Sequence, residues 1–194
     1  MTKKQEFIKI YTENIKREGA DKLLNYLQTS DFFTAPASTR FHCAYLGGLC
    51  EHSVNVYYRL LKNVENEYGK DFEKVISKET IAICALLHDL CKIDFYKIEM
   101  RNVKENGVWV QKEYYARNEL LPYGHGEKSV YIINGFIRLT REEAMAINWH
   151  MGGFDARVKG GDGSISEAFA IYPLILLLHI SDLQATYIDE NRGE

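Results

Sequence analysis

The chain lacks the marks of a protein built on disulfides or zinc knuckles. Its 4 cysteines, Cys43, Cys50, Cys84 and Cys91, include no Cys-x-x-Cys pair. The opening residues Met-Thr-Lys-Lys-Gln-Glu-Phe hold no apolar stretch of the kind a signal peptide needs. The expectation is therefore a reducing, cytoplasmic setting with free, largely buried thiols. No apolar run is long enough to cross a bilayer. The longest, Ile171 to Ile180, is interrupted by Tyr172, Pro173 and His179 and predicts a buried core helix. Charge of one sign is also missing: 24 basic against 27 acidic residues leave a net charge of -3. That balance advertises neither a membrane surface nor bulk nucleic acid, and no stable nucleic-acid complex is expected. Gly160-Gly161-Asp162-Gly163 is not followed by Gly-Lys-Ser/Thr, so it is no phosphate loop. There is no internal repeat, low-complexity tract or dividing linker.

What remains is a globular composition, 46% hydrophobic and 26% charged over 194 residues, which suits one domain with a sizeable core. Phe7, Ile8, Tyr11 and Ile15 recur at helical spacing over about 3–16. Leu23, Leu24 and Leu27 mark a short second helix over about 21–28. After the break at Thr34 to Ser38, Gly47-Gly48 leads into a long helix over about 49–68. Two glycines there suggest that something approaches the backbone. A further helix is predicted over about 78–91, where an apolar run ends in His88-Asp89. Two β-branched and aromatic runs, about 95–103 and 108–115, flank Asn106-Gly107, the strongest short hairpin signal. Two readings are open for Tyr96, Tyr114 and Tyr115: they line a pocket mouth, or they only pack the hairpin on the helices. Helices over about 127–139 and 141–151 follow, the latter opened by a Thr140/Glu143 capping box. A loop over 154–166 and a final helix over about 169–189 complete the chain.

The histidines are not scattered. His52, His88, His125 and His150 all fall at predicted helix ends, and the acid Asp89 adjoins His88. Asp182 interrupts the apolar last helix three residues after His179. A buried aspartate is costly unless a cation, or His179 itself, compensates it. Four imidazoles and two carboxylates exceed one tetrahedral zinc. They suit one or two divalent transition metal ions, with iron, manganese, cobalt or nickel preferred and magnesium or zinc admitted. Lys92, three residues past Asp89, adds a fixed positive charge where an anionic substrate would lie. Arg40 and His42 sit on a loop that faces the same place.

The order His52, His88-Asp89, His125, His150, Asp182 resembles the HD-domain metal-dependent phosphohydrolases, an all-α superfamily. The resemblance covers about 41–189, and the segment 40–53 is similar to HD modules of bacterial exoribonucleases. It implies a single HD domain over 1–194: a helical bundle with a small β-hairpin inserted near 95–115 and the N-terminal helices, 3–29, packed on the core. It also implies that His52, His88, Asp89 and Asp182 hold a first metal, with Asp89 bridging to a second held by His125 and His150. Asp89 and Lys92 become the catalytic pair, and Arg40, His42 and Lys92 the substrate-binding groups. The implied activity is hydrolysis of a phosphomonoester or phosphodiester of a nucleotide or short oligonucleotide. Two alternatives share the ligand order: a di-iron HD-domain oxygenase and a non-catalytic nucleotide-binding HD protein.

Overall fold

In the computed structural model, which describes residues 1–190, the chain is mostly helical with one two-stranded antiparallel sheet. Helices α1 (Lys3–Asn14) and α2 (Ala20–Thr29) precede the long α3 (Gly48–Tyr68). Helix α4 (Lys78–Leu87) leads to the hairpin strands β1 (Tyr96–Glu105) and β2 (Val108–Arg117). Then come α5 (His125–Asn134), α6 (Arg141–Trp149), the single turn α7 (Ala156–Lys159), α8 (Ser164–Ile171) and α9 (Pro173–Gln184).

The local reasons are visible in the residues. Thr2 and Thr140 each complete a capping box, which satisfies the free amides that begin α1 and α6. Every side chain from Ile81 to Leu87 is buried, so α4 is wrapped on all sides. It packs on α3, which also carries α1 and α9, while α6 lies between α5 and α9. Val54, Leu60 and Val64 of α3 and Leu174, Ile175 and Leu178 of α9 belong to one continuous apolar core. Each such fully buried aliphatic side chain stabilises the fold by about 1.5–3 kcal/mol of transfer free energy.

Four expectations change in position. The helix predicted over 127–139 spans His125–Asn134, and the chain turns at Gly135. The helix predicted over 78–91 ends at Leu87. His88 closes it and a 3-10 turn over Leu90–Lys92 follows, so the His-Asp pair sits at the break rather than inside the helix. The last helix is two: α8 and α9 meet at Tyr172-Pro173 with a bend of 107°. Pro173 has no amide hydrogen and starts a helix readily, so it opens α9 instead of continuing α8. The loop predicted over 154–166 in turn contains α7 and the start of α8. No single helix among the described residues is long and apolar enough to cross a membrane.

The hairpin follows its signal closely. Asn106 and Gly107 both take positive φ (49 and 85), the backbone of a two-residue hairpin turn, and Glu105 pairs with Val108 across it. In this register Tyr96 and Tyr115 share one face, and Tyr96 donates its hydroxyl to the Ala37 carbonyl. Tyr114 falls on the opposite face beneath Arg101, away from the other two.

Candidate metal centre

Two helix ends supply the centre by the same device. The last carbonyls of a helix have no partner within it. His88 and His150 close α4 and α6, and each turns its Nδ1–H back onto a carbonyl three residues earlier: Ala85 at 2.8 Å and Ile147 at 2.7 Å. That bond fixes the tautomer and leaves each Nε2 as a bare lone pair directed inward. His52 reaches the same point from the second turn of α3. Its Nε2 lies 3.3 Å from His88 Nε2 and 3.2 Å from Asp182 Oδ1, which α9 delivers.

Asp89 is the hub. Its Oδ2 lies 3.6 Å from His52 Nε2, 3.5 Å from His88 Nε2 and 2.6 Å from Lys92 Nζ. Its Oδ1 lies 2.8 Å from His125 Nε2 and 3.6 Å from His150 Nε2. The two oxygens thus face two different groups of imidazoles. His88 and His150 are fully buried, His52 and Asp89 nearly so. The cluster opens to solvent on the side of His125, Asp182 and Lys92.

This arrangement could hold a cation. His150 Nε2 is buried without a hydrogen-bond partner among the described residues. His88 and His52 point ring nitrogens at each other, and His88 has already used its proton on a carbonyl. Burial pushes His88 down to about 3 against the opposing pull of Asp89, so it stays neutral. Burial also opposes a charge on His52, yet its hydrogen bonds to the Asp182 and Glu190 carboxylates overcome it and lift that ring to about 10. A proton on His52 can bridge only one contact of several. Asp89 is held far below the usual carboxylate range although burial pushes the other way, because Lys92 and the imidazoles surround it. Buried His/Asp groups of this kind could hold a metal ion, and four overlapping sets occur: His52 with His88 and Asp89, His88 with His150 and Asp182, Asp89 with His125 and His150, and His42 with His52 and Glu190.

All six expected ligands, His52, His88, Asp89, His125, His150 and Asp182, therefore converge. His179 does not compensate Asp182; its Nδ1 binds the His150 carbonyl at 2.7 Å, and His52 partners the acid instead. The two substrate candidates of the loop separate. His42 lies tilted against the His52 ring, centroids 4.8 Å apart, with a buried, unpartnered Nε2, and burial lowers it to about 4. Arg40 is exposed, lies over the Phe41 ring at 5.0 Å and makes no polar contact with the cluster among the described residues. Two neighbours escaped the sequence reading. Cys91 Sγ lies 3.4 Å from His125 Nδ1, and Glu190 holds His52 Nδ1 at 3.1 Å. A cavity of about 710 Å³ lined by Tyr26, Lys128 and Phe136 lies elsewhere and includes none of these ligands.

The glycines prove to admit backbone. A Cβ on Gly48 would stand 2.0 Å from the Cys43 carbonyl oxygen, and one on Gly126 2.2 Å from that of Asn148. The second contact lets α5 close on the end of α6, which sets His125 beside His150 with ring centroids 5.2 Å apart. Gly126→Ala is expected to cost roughly 1–3 kcal/mol by overpacking and to displace His125. Gly124→Ala should cost less, since its Cβ would meet only the flexible Glu127 carboxylate. Equal denaturation midpoints for the two variants would show that α5 is free to move away.

No protein-family model, curated protein or solved structure matches the chain.

Proposed function

We propose that the protein is a metal-dependent phosphohydrolase of the HD-domain type, acting on a phosphomonoester or phosphodiester of a nucleotide or short oligonucleotide. The observation that carries this reading is the divided carboxylate of Asp89: one oxygen toward His52 and His88, the other toward His125 and His150, with an ammonium beside it. His52, His88, Asp89 and Asp182 would hold one divalent ion, and Asp89, His125 and His150 a second. When bound, such ions supply Lewis acidity, which activates water near neutral pH and offsets phosphoryl charge.

The chain's own residues do the rest. Burial of His88 and His150 excludes water from the inner side and keeps their lone pairs fixed. Burial disfavours the charge on Lys92, but Asp89 outweighs it and raises the lysine, so it remains an ammonium at any physiological pH. It stands at the open side, where phosphoryl oxygens would gather negative charge. His42 offers an unpartnered ring nitrogen beside His52 to orient the substrate.

Lys92→Met keeps most of the stem and removes the charge. It is expected to lower kcat/KM by about 10²-fold or more, the scale of one lost transition-state contact, while metal content stays close to wild type. An unchanged kcat/KM would reduce Lys92 to a counter-ion for Asp89. The function itself is tested by stripping the protein, reloading it with Mn²⁺, Fe²⁺, Co²⁺ or Ni²⁺ and assaying phosphate release from nitrophenyl phosphates, nucleotides and short oligonucleotides. Metal-dependent release is the expected result. Bound iron with substrate-dependent oxygen uptake and no released phosphate would replace it with an oxygenase reading.

A further inference from the structure

His52 differs from its partners in how its outer nitrogen is held. His88 and His150 lie at helix C-termini, where unpaired carbonyls stand within reach. His52 lies near the N-terminus of α3, where carbonyls are already committed; that of Leu49, three residues back, accepts the Ser53 hydroxyl. A partner for Nδ1 must come from elsewhere in the chain. It comes from Glu190, whose two carboxylate oxygens both lie 3.1 Å away.

Glu190 reaches this place because α9 does not end as an ordinary helix. After Gln184 the backbone widens into a π turn over Ala185–Asp189. The turn is pinned to α3 at two points: Arg59 clamps Asp189 with a two-pronged ion pair, its Nε at 2.7 Å, and Asn55 donates to Glu190 Oε1 at 3.0 Å. The side chain of Glu190 is almost wholly covered, although it carries a charge. A buried carboxylate is costly, and its position against the back of a ligand-type imidazole offsets that cost.

We propose that Glu190 is the positioning residue of His52, and that through it cation affinity at the His/Asp cluster is coupled to docking of the C-terminal turn at 185–190. The inference rests on the metal reading above. A carboxylate behind a ligating imidazole orients the ring and strengthens it as a donor, and loss of such a partner weakens metal binding by about 10- to 100-fold. Coupling is reciprocal: if the docked turn favours the ion, the ion must favour the docked turn.

The test is Mn²⁺ titration of the stripped chain by calorimetry, alongside hydrogen exchange of the amides at 185–190. Glu190→Ala is expected to bind Mn²⁺ about 10- to 100-fold more weakly. Glu190→Gln keeps an acceptor but no charge and should fall between it and wild type. Mn²⁺ should slow exchange at 185–190 in the wild type and fail to do so in Glu190→Ala. A purely structural contact would instead lower the melting temperature of the stripped protein and leave the Mn²⁺ affinity of the folded fraction unchanged. Should Glu190→Ala not fold, Asn55→Ala, which only loosens the carboxylate, should shift affinity in the same direction by less. Wild-type affinity in these variants overturns the inference alone. A wild-type chain that takes up no Mn²⁺, Fe²⁺, Co²⁺ or Ni²⁺ removes the metal reading and the inference together.

Discussion

Asp89→Ala is expected to empty the cluster and abolish turnover. Its carboxylate is the one group within 3.6 Å of His52, His88, His125, His150 and Lys92 alike. Without it the cluster keeps a single carboxylate, Asp182, beside four imidazoles and the Lys92 ammonium, an environment that disfavours a divalent cation. Lewis-acid stabilisation is worth several kcal/mol, so activity should fall by about 10³-fold or more. Asp89→Asn keeps the shape but turns an amide NH₂ toward one group of imidazoles. It should retain at most the ion on the side where its carbonyl oxygen points. Elemental analysis and turnover of the reloaded variants check both expectations. Full metal content with wild-type turnover in Asp89→Ala would place the chemistry elsewhere in the molecule.

The largest effect on stability is expected far from the chemistry, at Arg17. This residue lies between α1 and α2, and its guanidinium grips Glu143 with both nitrogens at 2.8 and 2.9 Å. It also reaches Glu79 at 3.2 Å and the Arg138 carbonyl at 2.9 Å, so one side chain ties α4 and α6 to the N-terminal helices. Glu143 is fully buried. Thr80 and the Thr140 amide help to satisfy it, but neither carries charge. Arg17→Met should therefore cost about 3–5 kcal/mol, the scale of leaving one partner of a buried pair uncompensated. For a chain of this size that lowers the melting temperature by roughly 6–20 °C. The double variant Arg17→Met/Glu143→Gln should recover much of the loss, because the stranded charge is gone. A drop under about 1 kcal/mol in the single variant would mean that water reaches Glu143 after all.

Local chemistry made much of this protein legible. The Asn106-Gly107 turn, the Thr140 capping box and the helical periodicity of α1 to α3 depend on neighbours only a few residues apart, and each stands where the sequence places it. The His/Asp cluster was legible for a related reason: its members fall at predicted helix ends and in an apolar helix. What depends on distant packing was not. The break of α4 at His88 arises because the imidazole caps its own helix within a fully wrapped core. The split at Tyr172-Pro173 turns an apparent single helix by 107° and aims Asp182 at His52. His179 sits at a helical spacing that suggests a partner for Asp182, yet that same turn carries it to the His150 carbonyl. Arg40 and His42 are near neighbours in the chain, and only the fold of their loop sends one to the surface and the other against His52. Glu190 carries no motif at all. Its role depends on a π turn and on two residues of α3, contacts more than a hundred residues apart that exist only once the chain has closed. The sequence alone thus determined which residue types were available and where helices begin. Tertiary packing decided which side chains face Asp89, because direction at a helix end is set by what the end is packed against.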